Sequence, residues 1–372
     1  MLKTVEIVKN PSVESLLSLW AQRYAINLSS QDLGNLLSNN ILLEAASSQG
    51  RALTAKKLKE NVLNVNCQMA WIQTKTLYGY ISNILDLSEA RRITQFAFRV
   101  YKKLIEVYQK YPLEDFGNST EQSQRDFEKS IGIPSIGELV YALEPTLLLF
   151  QEQHIVSKDW RSLGFLTTQL NFCNQLILKK LEPAERILIT PYLKFVEEQV
   201  AMPWQRVCVA ASKYKIGAVK LQLVEEMLPK SPEIARSAYN NLVELLPNQR
   251  SRRGLLNDKG ITHSCIRDLN MFQAYFWLCF LEESIRPIEQ ELLPLCSMVV
   301  EAVNIKWELT EKWCEVLTME ILNQVTPEKK EILQPYLLQM REVFWQQRYS
   351  LGFIEETKLE EIITNLGSKS LF

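Results

Sequence analysis

The chain has 372 residues, 47% hydrophobic and 23% charged, with 42 basic residues against 43 acidic ones. That is apolar material for a real core and length for two domains, and the near-neutral balance gives no support to a nucleic-acid partner. Seven cysteines with no Cys-x-x-Cys pair argue against a disulfide framework or zinc knuckle, and two histidines exclude a His-rich metal site.

Taken in order, apolar residues recur at helical spacing almost throughout, and no alternating strand-like run with hairpin turns is present. A first helix is expected over Val13–Ala25, with Leu16, Leu17, Trp20 and Tyr24 on one side. Ser29-Ser30-Gln31-Asp32 reads as the start of the next. In Ala46–Leu58 a turn is expected at Gly50 and a helix cap at Thr54. Val62–Leu85 and Ser88–Tyr111 read as long helices, and Leu113–Lys129 as a polar surface stretch. Ser135–His154 reads as an apolar helix bent at Pro145, followed by a helix over Ser157–Leu181. The fold class is all-α. The domains expected are an N-terminal helical one over 1–181, a second over 182–345, and a C-terminal helix and tail over 346–372.

The later segments read as helices over Pro183–Phe195, Trp204–Lys213, Ser231–Leu246, Pro287–Val300, Lys306–Val325, Ile332–Arg348 and Glu355–Leu366. Between them lies the most informative stretch, Thr262–Leu293. Cys265, Asp268, Phe272 and Tyr275 are spaced three, four and three apart, so they fall on one helical stripe. Leu269, Phe276, Trp277, Leu278 and Phe280 make the rest of the helix apolar on most sides, as a central buried helix requires. Arg267 and Asp268 then stand as two charges in its first turn. Buried charge is costly unless paired, so they need a partner in the protein or in a ligand.

The run Cys265-Ile-Arg-Asp268 followed by an aromatic-rich helix resembles the bilin-bearing helix of phycobiliproteins, the light-harvesting subunits of the phycobilisome. Ala46–Leu58, with its small residues before Gly50-Arg51, resembles the N-terminal signature of the same family. Tyr239 and Pro247 fall where that family has the helix before its chromophore loop, and Asn248, Arg250, Arg252 and Arg253 fall on its Asn and arginines. The resemblance implies a globin-like domain over 182–345, with the N-terminal domain a degenerate copy or another helical module. It also implies a linear tetrapyrrole (bilin) as cofactor. Cys265 would form the thioether, Asp268 would accept from the pyrrole N–H groups, and Arg267 with Arg252 or Arg253 would hold the propionates. Phe272 and Tyr275 would pack on the ring face. The partners implied are phycobilisome subunits or further copies of the chain.

The alternative is a pigment-free adaptor of phycobilisome assembly or regulation, favoured by the long N-terminal half and by departures from the family's pattern. Eleven residues, GLLNDKGITHS, separate Arg253 from Cys265, and Leu281-Glu-Glu-Ser284 replaces its small turn; Ala274, where the family has a second arginine, also departs from its bilin pocket. The acid pairs Glu197-Glu198, Glu225-Glu226 and Glu355-Glu356 read as solvated faces among basic residues. Cys208, Cys279, Cys296 and Cys314 read as core. No nucleophile with an orienting base is evident, so no enzymatic activity is expected. Met1–Asn10 lacks the apolar core of a secretory signal, and Leu139–Phe150 is too short to span a bilayer. A cytoplasmic protein is expected, at the thylakoid face if it joins phycobilisomes, with no membrane-spanning segment.

Overall fold

A computed structural model describes residues 10–24, 41–79, 87–110, 136–157, 161–252 and 254–350. The helix start at Ser29–Asp32, the polar stretch Leu113–Lys129, the last helix Glu355–Leu366 and Arg253 lie outside these residues. Where described, the chain is helical almost throughout, which bears out the all-α reading. It divides into two compact units, Met1–Pro232 and Glu233–Phe372. The expected boundary at 181/182 is not where these units part.

The first unit holds α1 (Pro11–Gln22), α2 (Ile41–Ala46), α3 (Ser48–Lys57), α4 (Glu60–Leu77), α5 (Leu87–Lys110), α6 (Ile136–Ser157), α7 (Arg161–Leu178), α8 (Pro183–Ala201), α9 (Trp204–Ala211) and α10 (Val219–Met227). Helix α4 packs between α5 and α7, and α8 packs on α7 and α2, which is why the segment after residue 181 stays with the N-terminal helices. Helix α1 opens as its sequence directs. The Asn10 side chain accepts the Val13 N–H at 2.9 Å, and Pro11 supplies a first-turn residue that has no N–H to satisfy. Its stripe Val13, Leu16, Leu17 and Trp20 is buried, and the Trp20 ring stacks on Trp204 at 3.8 Å.

Two expectations are corrected here. Gly50 is a helical residue and Thr54 is no cap: the cap of α3 is Ser47, whose Oγ accepts the Gly50 N–H at 3.1 Å. Gly50 is required instead by close approach. A Cβ there would lie 2.1 Å from the Glu44 carbonyl oxygen and 2.7 Å from Ala45 Cα, both backbone atoms that cannot swing away. Gly50→Ala is therefore expected to destabilise this unit by about 1–3 kcal/mol, as overpacked sites do; a thermal midpoint equal to that of the unchanged chain would contradict this.

Secondly, Glu197 and Glu198 are buried and do not form a solvated face. Glu197 accepts from Asn171 and Asn174 on α7, at 3.3 and 3.2 Å to its Oε2. Glu198 accepts from Arg23 Nε at 3.0 Å and from the Tyr24 hydroxyl at 2.6 Å. Long-range partners, invisible in the local pattern of charges, decide which face of α8 is inside. Glu185, also buried, receives Lys57 Nζ at 2.8 Å and the Thr54 hydroxyl at 3.1 Å.

The second unit begins within α11 (Ser231–Leu245). It continues through a short ladder of β1 (Arg250–Ser251) and β2 (Gly254–Leu255), then α12 (Lys259–Glu282), a π-helical turn Ile288–Leu292, α13 (Leu293–Val303), α14 (Trp307–Asn323) and α15 (Pro327–Ser350). Arg250 pairs with Leu255 and Ser251 with Gly254 in antiparallel register. This hairpin was not expected, because two residues per strand are too few to show alternation. Gly254 carries it at φ +133°, a conformation that L side chains rarely adopt. Helix α12 lies against α15 and the π-helical turn, and α14 pairs with α15. No described helix is long and apolar enough to cross a membrane.

Candidate functional site

The candidate site is carried by α12, which begins earlier than the sequence pattern indicates. Asp258 precedes it, and its carboxylate accepts the Leu255 N–H at 2.9 Å while its carbonyl receives the N–H groups of Ile261 and Thr262. The Tyr239 hydroxyl donates to the Leu256 carbonyl at 3.0 Å and lies 2.8 Å from Thr262 Oγ1, which ties α11 to this start. The eleven-residue insertion is thus built as the second strand of the hairpin, a turn and the first turn of α12. Cys265, Arg267 and Asp268 consequently lie in the second and third turns, not the first, where the partial positive charge of a helix start no longer favours an acid.

Arg267 and Asp268 find their partner in each other. Nε at 2.9 Å and Nη2 at 2.7 Å both donate to the same Asp268 oxygen, Oδ1. The two side chains are 15% and 29% exposed, so the pair is partly solvated and the cost of burying it is correspondingly reduced. Cys265 is buried, as are Cys208, Cys279, Cys296 and Cys314, the four expected in the core. Burial, with the charge of Asp268 adding to it, pushes the Cys296 thiol far above its ordinary range. Arg252 is exposed.

Phe272 and Tyr275 are enclosed by protein. The Phe272 ring lies 5.4 Å from that of Phe344 and 6.3 Å from that of Trp313, both near-parallel. Phe344 in turn stacks on Trp307 at 6.0 Å, and its carbonyl accepts the Trp307 indole N–H at 2.9 Å. Tyr275 donates to the buried Glu291 carboxylate at 3.3 Å. Cys265, Asp268, Phe272 and Tyr275 do share the stripe that the spacing requires, and its lower half closes on α14, α15 and the π-helical turn. Sequence inspection missed Glu291, Trp313 and Phe344 as partners of this stripe. Glu291 stands between buried Ile288 and Leu292, and an acid within an apolar face was the available signal.

Helix α12 ends in a left-handed cap. Glu283 takes the left-handed conformation, φ 53°, that Gly or Asn adopts most readily, and the Ser284 N–H then reaches the Cys279 carbonyl at 3.1 Å.

A cleft of about 1220 Å³ opens elsewhere in this unit, between the β1 region and α13, and its lining includes Asn248, Arg250, Leu293, Met298 and Lys306. None of Cys265, Arg267, Asp268, Arg252, Phe272 or Tyr275 lines it. Among the described residues no group of three or more His, Cys, Asp or Glu is arranged to hold a metal ion.

No curated protein and no solved structure matches the chain. A family model does. Residues 208–342, from the end of α9 through most of α15, match the model described as phycobilisome protein.

Proposed function

We propose that this chain acts in phycobilisome assembly or regulation as a pigment-free helical adaptor, with the family-matched segment as its docking module. The match over 208–342 supports a phycobilisome-related role. The observation that carries the pigment-free reading is that the side chains suited to hold a tetrapyrrole are engaged by the protein itself. Arg267 pairs with Asp268, Phe272 packs on Phe344 and Trp313, and Tyr275 is spent on Glu291. A bilin seated on this stripe would have to break those contacts before gaining its own.

A second reading, bilin carriage, is favoured by one specific observation. Cys265, Arg267 and Asp268 keep the family's order inside the matched segment, and the Arg267–Asp268 pair uses only one carboxylate oxygen. In that case Cys265 would add to the vinyl or ethylidene group, Asp268 would accept pyrrole N–H groups, and Arg267 with Arg252 or Arg253 would bind propionates.

One experiment separates the two. The chain is co-expressed with a bilin-producing pathway and a suitable lyase, and a denaturing gel is imaged for zinc-induced bilin fluorescence. A dark band, under conditions that label a genuine phycobiliprotein, is the expected result. The same protein should co-elute with isolated phycobilisome subunits on size exclusion. A fluorescent band that vanishes in Cys265→Ala would replace the adaptor reading with the pigment one.

A further inference from the structure

We propose that the cleft between the β1 region and α13 binds a small amphipathic anion, with its charge on Arg250 and Lys306 and its apolar body on Leu293, Pro294, Met298 and Ile305. The volume, about 1220 Å³, is ample for a small molecule, and such sites are typically apolar surfaces with a few placed polar groups. The two cations are the placed groups. Neither Arg250 nor Lys306 has an ion-pair partner among the described residues.

Their positions are fixed by backbone. Arg250 stands in the ladder opposite Leu255, and Lys306 directly precedes α14. No side chain caps that helix start, so the positive end of its dipole adds to the two side-chain charges. Glu289 also lines the cleft and leaves one net positive charge among these three residues, which suits a single anionic group better than two. An apolar body without the charge would leave both cations unused, and an inorganic anion would leave the apolar lining unused. The proposal rests neither on Cys265 nor on the adaptor reading.

The test is a fluorescence titration of the full chain with 1-anilinonaphthalene-8-sulfonate, a ring system bearing one sulfonate, at low ionic strength. Saturable binding at one site is expected, with affinity roughly tenfold weaker in the double variant Arg250→Gln/Lys306→Gln. Lys312→Gln, which removes a cation of the same unit that pairs with Glu315, should leave the affinity unchanged. Melting curves of all variants should coincide, since both substituted cleft side chains are exposed. Competition by octanoate would identify a free amphipathic carboxylate as the ligand class. Sedimentation with phosphatidylglycerol vesicles, lost in the double variant, would identify a lipid headgroup. Dye uptake that never saturates, or an affinity that the double variant leaves intact, would overturn the proposal.

Discussion

Glu198→Ala is expected to destabilise the N-terminal unit by about 3–5 kcal/mol, the range for breaking a buried ion pair by removing one partner. Folded domains rest on about 5–15 kcal/mol in all, so this would take about a fifth or more of the total. The reason is specific to the geometry. The Arg23 side chain is 2% exposed, and its guanidinium lies over the Trp20 ring at 4.3 Å, so it would be left buried without its carboxylate. The Tyr24 hydroxyl would lose its acceptor at the same time. Urea unfolding followed by circular dichroism measures the effect, and an unchanged midpoint would contradict it.

The same site sets an acid limit on stability. Burial alone would raise the Glu198 carboxyl; the Arg23 guanidinium, then Lys194, with hydrogen bonds from Arg23 and Tyr24, more than offsets this and holds it below the usual range. A carboxyl whose folded-state pKa lies below its unfolded value, about 4.3, lends stability that is complete above that value. It is lost as pH falls through the folded pKa. The thermal midpoint of the unchanged chain should therefore drop on acidification below about pH 4, and Glu198→Gln should show less of that dependence.

The second large effect is expected at Phe272. Replacement by alanine should cost about 3–5 kcal/mol in the C-terminal unit, because a buried ring is removed from a packed aromatic cluster. Phe344 is held by its stack on Trp307 and by the indole bond to its carbonyl, so the cavity would persist. Tyr275→Phe, by contrast, keeps the ring and removes the 3.3 Å hydrogen bond to the buried Glu291 carboxylate, and about 1 kcal/mol is expected. Were Phe272 a ligand-facing residue on a relaxed surface, its replacement would be nearly silent in the melting curve.

What was legible in the sequence follows from the range of the interactions involved. Helix α12, its apolar surround and the stripe from Cys265 to Tyr275 are local matters of spacing, and the sequence alone shows them. The start of α12 lies earlier than the spacing indicates because the Asp258 carboxylate reaches back to Leu255, within the eleven-residue insertion. Glu197 and Glu198 looked solvated because Asn171, Asn174 and Arg23 lie far away in the chain and announce nothing locally. The partners of Phe272 come from residues 313 and 344, and a stack of rings from three helices leaves no trace in any one of them.

The match over residues 208–342 has a consequence for what this protein can be reduced to. The stretch that matches the family model and the stretch that holds itself together are offset. Cys208, Leu221, Val224 and Met227, at the start of the matched segment, are interior residues of the first unit. Phe344, the ring on which Phe272 and Trp307 both lean, falls two positions past its end. A module excised at the borders of that match would carry raw apolar surface at one end and an unfinished stack at the other. Likeness marks out one segment here, and cohesion another.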